Sequence, residues 1–143
     1  MSIVNADISL LPTRNTDLEV NDKFPPEVEE FRQKIVQSEC FLLASPEYNY
    51  MVTTPLKNAI DWVSRPPNVF VDKVAAIVSV GGGFGGGLAQ YSLRQNGVFL
   101  DLHSINKPEF FLKGTKRTVV QEGFKNLAVH ERRIEFDMED RKR

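Results

Sequence analysis

The sequence contains few cysteines and histidines and no long apolar run. Cys40 is the only cysteine among its 143 residues, so no disulfide can form within the chain and a reducing compartment is expected. The two histidines, His103 and His130, form no cluster with metal-ligand spacing, so no dedicated metal site is expected. No apolar run approaches the roughly 18 residues that span a bilayer. The N-terminus also lacks the basic and apolar regions of a signal peptide.

The charge balance also narrows the possible partners. The formal net charge is -1 at pH 7, which gives no general electrostatic reason to bind nucleic acid or an anionic membrane. A length of 143 residues suits one domain with a real core. We therefore expect a cytoplasmic globular domain with neither nucleic acid nor membrane as a partner.

Apolar segments with strand character alternate along the chain with segments of helical periodicity. Buried strands are predicted at Cys40–Ala44, Val74–Val80 and Leu100–Ile105, with a weaker candidate at Ile3–Ile8. Helices are predicted at about Pro25–Ser38, from near Thr54, and at about Leu88–Asn96 with Gly97 as the C-cap. Such alternation indicates an α/β fold with parallel strand pairing.

A run of glycines follows the second of these strands. Six of the nine glycines lie between Gly81 and Gly87. Glycine costs backbone entropy, and one or two glycines would serve for a turn. The run is therefore predicted to let backbone N–H groups approach a flat ring or a phosphate at a helix N-terminus, although a tight strand-to-helix turn would also contain glycine.

The same run can be interpreted as a dinucleotide-binding fingerprint. Gly81, Gly83 and Gly86 satisfy G-x-G-x-x-G, and Asp101 lies at about the right distance for a ribose contact. However, Asp101 comes early in its predicted strand, whereas the ribose-binding acid belongs at a carboxyl end. A Rossmann-type NAD-binding domain therefore stays as an alternative. No G-x-x-x-x-G-K-[ST] motif is present at this loop.

An aromatic segment, Ser45-Pro46-Glu47-Tyr48-Asn49-Tyr50, lies just past the first long buried strand. Open α/β sheets bind ligands outside the carboxyl ends of their strands. Two tyrosines and an asparagine offer ring surface and hydrogen-bond partners, as a planar heterocycle requires. Because the glycine run ends the next buried strand, both segments are expected at one edge of the sheet.

These segments resemble the NADPH-dependent FMN reductase family, and in particular its plant-type NADPH:quinone oxidoreductase branch. The resemblance rests on the aromatic segment and on Thr54-Pro55-Leu56-Lys57-Asn58-Ala59-Ile60-Asp61-Trp62, followed by Ser64-Arg65-Pro66. The run from Ala75 through the glycines to Leu112 continues it. It implies a flavodoxin-like fold, an open parallel sheet with helices on both faces.

The resemblance also implies a function. The expected enzyme binds FMN, takes hydride from NADPH or NADH, and passes two electrons to a quinone or similar acceptor. A homodimer or homotetramer is implied, with the helix from Pro55 to Ser64 in the dimer contact. Residue by residue, the flavin contacts would be Pro46, Glu47, Tyr48, Asn49 and Tyr50, with Gly81, Gly82, Gly83 and Phe84 along the ring edge.

Two departures from the family pattern shape the remaining expectations. The family's first β-α unit and its phosphate-binding loop are not recognisable, so residues 1–112 are expected to form an N-terminally truncated domain. Residues 113–143 are expected to be a divergent charged tail, with nine of the 18 Lys and Arg residues. Charge-assisted hydrogen bonds, each worth about 1.5–3 kcal/mol, would be lost with that loop, which leaves a non-catalytic oligomer partner as a further alternative.

Overall fold

The computed structural model describes residues 4–21 and 23–114. The helices are α1 (Pro26–Gln37), α2 (Thr54–Val63) and α3 (Gly87–Phe99). The strands are β1 (Cys40–Tyr48), β2 (Met51–Val52), β3 (Val74–Gly81), β4 (His103–Ser104) and β5 (Phe110–Lys113). Within these ranges, no helix combines the length and apolar character needed to cross a membrane. The predicted tail, 113–143, lies almost wholly outside the described residues.

The strands form one sheet that is mostly parallel, as the sequence predicts. β1 runs parallel to β3 over seven residue pairs, from Cys40 opposite Val74 to Pro46 opposite Val80. β4 and β5 both pair in parallel with β3, at residues 74–75 and 78–81. They therefore act as one strand that is interrupted at residues 105–109. This arrangement brings the carboxyl ends of β1, β3 and β5 to the same edge.

Burial alternates along the two long strands and shows which face the helices cover. Ala75, Ile77 and Ser79 of β3 are buried, and Ala75 and Ile77 join the core cluster with residues of all three helices. On the opposite face of β1, Leu42 is 46% exposed, and Ala44 is exposed as well. The expectation of helices on both faces is thus met on one face by the described residues.

The segment before α1 packs against α2 without forming a strand. Residues 4–8 are not in a strand, so the weak prediction there is wrong over the described part. Instead, the Pro12 carbonyl accepts hydrogen bonds from Trp62 Nε1 at 2.8 Å and Asn58 Nδ2 at 3.0 Å. The Arg14 N–H in turn donates to Asn58 Oδ1 at 2.7 Å. These bonds satisfy backbone groups that would otherwise be paired by a neighbouring strand.

Two cations satisfy the carbonyls that the first two helices leave unpaired at their C-terminal ends. The buried Arg32 guanidinium donates to Trp62, Val63, Arg65 and Pro67 carbonyls at 2.8–3.0 Å. Burial lowers the pKa of Arg32 below its ordinary value, but the group remains charged. Lys73 acts similarly at the end of α1. Its acceptors are the Ile35, Val36 and Ser38 carbonyls.

The region around Gly97 differs from the sequence-based expectation. α3 continues through Gly97 to Phe99, and the left-handed residue that follows is Asp101, with φ of 55°. An added Cβ on Gly97 would meet Ser104 Oγ at 3.2 Å. Glycine here allows α3 to approach β4 closely, and is not the C-cap. The strand predicted at Leu100–Ile105 is accordingly limited to β4.

Candidate functional site

The aromatic segment is a β-hairpin. β1 extends through Ser45–Tyr48, and Tyr48 pairs with Met51 of β2. The two turn residues, Asn49 and Tyr50, have φ of 50° and 65°, so both are left-handed, as in a type I′ turn. Asparagine tolerates this conformation, whereas tyrosine adopts it at a cost of about 1–2 kcal/mol. A bulky residue kept in a strained turn is a sign of a functional constraint on that residue.

Three aromatic rings at this edge of the sheet lie largely in solvent. Tyr48 is 65% exposed, Tyr50 is 73% exposed, and Phe84 of the glycine loop is 51% exposed. Rings of this size are usually buried, because each carries a large apolar area. Exposed rings grouped near a strand edge therefore form a surface suited to a flat ligand or to another protein.

The glycine loop, Gly81–Gly87, connects β3 to α3 in a tight path. Gly86 is left-handed, with φ of 81°, and an added Cβ would meet Ser79 Cβ at 2.7 Å. The Phe84 ring folds back over the start of α3, where a Cβ on Gly87 would meet it at 2.1 Å. By contrast, a Cβ on Gly82 or Gly83 would meet nothing within 4 Å. The backbone at these two residues is therefore open to a ligand.

The hairpin and the glycine loop are joined directly. Glu47 Oε2 accepts a hydrogen bond from the Ala89 N–H, in the first turn of α3, at 3.0 Å. A Cβ on Gly81 would lie 3.5 Å from Glu47 Cβ, which puts the two segments in van der Waals range. The sequence-based expectation that the two segments meet at one edge is thus confirmed.

This contact also tests the dinucleotide alternative. A helix N-terminus attracts anions, but at α3 the carboxylate of Glu47 already occupies that position. A pyrophosphate bound there would face a negative charge. Asp101, the candidate ribose contact, accepts a hydrogen bond from the Asp72 N–H through its carbonyl at 3.0 Å, at the opposite, amino-terminal edge of β3. The Rossmann-type hypothesis fails on both counts.

Phe111 is a member of this surface that the sequence analysis missed. It lies on β5, and its ring stacks on Phe84 with centroids 5.3 Å apart and planes inclined by 29°. The sequence does not predict β5, because a strand of four residues is too short to show a clear pattern. A signal did exist, since the paired phenylalanines, Phe110 and Phe111, come directly after a Pro-Glu turn.

The second signature segment has a structural role in this chain. Asn58 and Trp62 hold the Pro12–Arg14 segment, as described above, and Arg65 pairs with Glu19. That pair is bidentate, with Arg65 Nη2 to Glu19 Oε2 at 2.7 Å and Arg65 Nε to Oε1 at 2.8 Å. The hydrogen bond from Arg65 lowers the pKa of the Glu19 carboxyl below its ordinary value. These residues position α2, and thereby the hairpin that precedes it.

Two surface clefts lie outside this arrangement. The larger, of about 670 Å³, opens beside the start of α2 and is lined by residues including Ile8, Thr54 and Asn58. The smaller, of about 420 Å³, lies at the amino-terminal edge near Val98 and Asp101. Neither cleft is lined by any of the nine residues that the sequence predicts as flavin contacts. The candidate site is therefore an open surface between the hairpin and the glycine loop, which we call the slot.

Comparison with known proteins agrees with the geometry. The family model for NADPH-dependent FMN reductases matches residues 3–116. The chain belongs to that family. It is 71% identical over 112 residues to an NAD(P)H:quinone oxidoreductase of Solanum tuberosum, and 67% identical over 112 residues to an NADPH:quinone oxidoreductase of Arabidopsis thaliana. Each alignment covers 78% of this chain, with 58% and 57% of the respective relative.

A solved structure supports the fold assignment. FerB, a flavoenzyme NAD(P)H:(acceptor) oxidoreductase from Paracoccus denitrificans, aligns with a TM-score of 0.71 and 31% sequence identity. The alignment covers 78% of this chain and 62% of FerB. The fold is therefore that of the flavodoxin-like FMN reductases. The chain spans a little under three fifths of the length of the two plant relatives.

Proposed function

We propose that this chain is an FMN-dependent NAD(P)H oxidoreductase that passes two electrons to a quinone-like acceptor. The observation that carries the proposal is the junction of Glu47 with Ala89, which brings an exposed aromatic hairpin beside an open glycine backbone. Family membership and the activities after which the two plant relatives are named support it. Bound FMN would supply the two-electron chemistry between nicotinamide and acceptor.

The residues at the slot fit the ring of such a cofactor. The backbone at Gly82 and Gly83 is uncovered, so a planar ring can approach its N–H groups without meeting a Cβ. Tyr48 of the hairpin and Phe84 of the glycine loop, which are 65% and 51% exposed, supply ring surface at the same edge of the sheet. We propose that the remaining predicted residues, Pro46, Glu47, Asn49, Tyr50 and Gly81, complete the contact, with Glu47 acting mainly through its backbone. Its carboxylate is already engaged by α3.

The cofactor's phosphate has a different requirement. A phosphate needs cations or free N–H groups, and the N-terminus of α3 is held by the Glu47 carboxylate. We therefore place the ring, and not the phosphate, at this end of α3. A riboflavin titration beside the FMN titration measures how much the phosphate contributes to binding.

The direct test is flavin binding followed by turnover. The chain is titrated with FMN while flavin fluorescence is recorded, and NADPH oxidation is then measured with a quinone. Gly83→Val is the informative variant, because an added Cβ there would meet nothing within 4 Å, while the side chain would cover the open backbone. We expect it to fold normally and to lose flavin binding tenfold or more. Tyr91→Ser, which removes an exposed tyrosine on α3, is the matched control. Absence of binding by the parent chain at saturating FMN would refute the proposal.

We also propose that the chain acts in the cytoplasm as a homodimer or homotetramer. Support comes from the hairpin tip, where Tyr50 and Met51 are 73% and 53% exposed, and from α2, which lies next to it. Sedimentation of the parent chain and of Met51→Lys tests this, and a monomeric parent contradicts it. An oligomer that forms without binding flavin would instead favour a non-catalytic oligomer partner.

A further inference from the structure

Gln90, in the first turns of α3, is completely buried beneath the glycine loop. Its Nε2 donates to Ser79 Oγ at 2.9 Å and to the Phe110 carbonyl at 2.6 Å. Its Oε1 is buried without a hydrogen-bond partner among the described residues, so this amide is kept in the core at a cost in free energy, which indicates a specific role. Gln90 is not among the site residues that the sequence predicts.

The direction of each hydrogen bond follows from the chemistry of the partners. The Phe110 carbonyl can only accept, so the atom of Gln90 that faces it is Nε2, with two hydrogens. One hydrogen goes to Phe110, and the other goes to Ser79 Oγ. The Ser79 hydroxyl then donates its own hydrogen to the Gly85 carbonyl at 2.8 Å. The result is a chain of donors from Gln90 through Ser79 to Gly85, with a branch to Phe110.

This chain ends next to both stacked rings. Gly85 is adjacent to Phe84, and Phe110 is adjacent to Phe111. The contact between the two segments is tight, because a Cβ on Gly85 would meet Phe111 Cβ at 2.8 Å. One side chain therefore fixes two backbone carbonyls, and with them the relative position of the rings that stack at 5.3 Å.

We propose that Gln90 is a positioning residue for the flavin slot, acting through Ser79 and through the Phe110 carbonyl. The expected effect of Gln90 on flavin binding rests on the proposed function. Its effect on the positions of Phe84 and Phe111 does not depend on flavin. Gln90 itself is fully buried, so it would act on the slot through its hydrogen-bond partners. It keeps Phe84 and the open glycine backbone in one arrangement before a ring arrives, which lowers the cost of ordering the site on binding.

The experiment uses three variants of the whole chain and one control. Gln90→Met removes both N–H donors while keeping the length of the side chain. Gln90→Glu places a carboxylate oxygen against the Phe110 carbonyl, which can only accept. Ser79→Ala removes the hydroxyl that links Gln90 to the Gly85 carbonyl, and leaves the bond from Gln90 to the Phe110 carbonyl in place. Gln95→Met changes an exposed glutamine on the same helix and is the matched control.

The first readout is amide hydrogen exchange of the flavin-free chain. We expect both Gln90 variants to speed exchange at residues 84–87 and 110–112 by tenfold or more, with α1 unchanged. Ser79→Ala should speed exchange at 84–87 alone, and Gln95→Met at neither. Faster exchange throughout the chain, α1 included, would show a purely structural role for Gln90 and overturn the proposal. Unchanged exchange in Ser79→Ala would overturn it as well, even if the Gln90 variants failed to fold.

The second readout is the FMN dissociation constant. We expect a rise of tenfold or more in both Gln90 variants and no change in Gln95→Met. An FMN dissociation constant that stays at the parent value in the Gln90 variants overturns the link to the slot. A parent chain that binds no FMN refutes the proposed function, and the exchange pattern then decides the positioning role by itself.

Discussion

Replacing Arg32 by methionine should destabilise this domain more than replacing Lys73 by methionine. Arg32 Nη1 donates to three carbonyls at 2.9–3.0 Å, and Nη2 donates to the Pro67 carbonyl at 2.8 Å. Since Nη1 carries two hydrogens, these contacts amount to about three full bonds. The side chain is 4% exposed, and its plane lies over Phe24 at 4.3 Å.

The magnitude follows from what remains after the substitution. About three bonds at about 1.5–3 kcal/mol each give a gross loss of about 5–9 kcal/mol. The substitution also removes the cost of burying the guanidinium, which offsets part of that loss. We expect a net decrease of about 3–5 kcal/mol in the free energy of unfolding. This is a large part of the roughly 5–15 kcal/mol that stabilises a domain.

Lys73→Met is the matched comparison, because Lys73 also donates to three carbonyls at a helix C-terminus, but from a partly exposed position. It should cost only about 1–2 kcal/mol, as for a cation at a helix end. Urea unfolding followed by the fluorescence of Trp62, the single tryptophan, measures both. With an m-value of about 2 kcal/mol/M, the Arg32 midpoint should fall by about 1.5–2.5 M. Equal shifts for the two variants would refute the argument from burial.

Three further predictions concern the site and its support. Gly86→Ala should lower the free energy of unfolding by about 2 kcal/mol or more, since φ is 81° and Ser79 is in the way; an unchanged urea midpoint contradicts this. Tyr50→Gly should raise stability by about 0.5–1 kcal/mol by relieving the left-handed turn, while it weakens FMN binding in the same titration. Glu19→Gln should destabilise at pH 7, and its difference from the parent should begin to shrink as pH falls below 4.5. The reason is that Arg65 lowers the folded pKa of Glu19, so the stability it contributes is present above the unfolded value and lost as pH falls through the folded value; a difference that grows as pH falls below 4.5 would contradict it.

The sequence predicts the parts of the fold that depend on local apolar pattern. The helix predicted at Pro25–Ser38 is α1, and the runs at Cys40–Ala44 and Val74–Val80 lie in β1 and β3. A covered parallel strand needs a nearly continuous apolar run, so composition alone indicates it. The flavodoxin-like fold was identified by resemblance, and the FMN reductase match confirms it. The division at residue 112 stays a prediction.

What the sequence did not predict depends on contacts between distant residues. The hairpin at Asn49–Tyr50 lacks the Asn-Gly pair that marks a type I′ turn, so the sequence predicts only a loop beyond the strand. β5 is short, and it is stable only because β3 offers a partner for each of its residues. The role of Gln90 has no local signal at all, because its acceptors lie 11 and 20 residues away. Long-range hydrogen bonds of this kind require coordinates.

Several glycines of the loop between β3 and α3 are explained by packing within the protein and do not by themselves indicate a ligand. Three of the six are required by packing, since an added Cβ would come within 2.7–2.8 Å of backbone or Cβ atoms at Gly81, Gly85 and Gly86. At Gly87 an added Cβ would meet only the ring of Phe84, which is half-exposed. Gly82 and Gly83 have no such constraint, because an added Cβ would meet nothing within 4 Å. Under the proposed function, glycine at these two residues is explained by a flat ring lying against their backbone, and Gly83→Val tests that explanation.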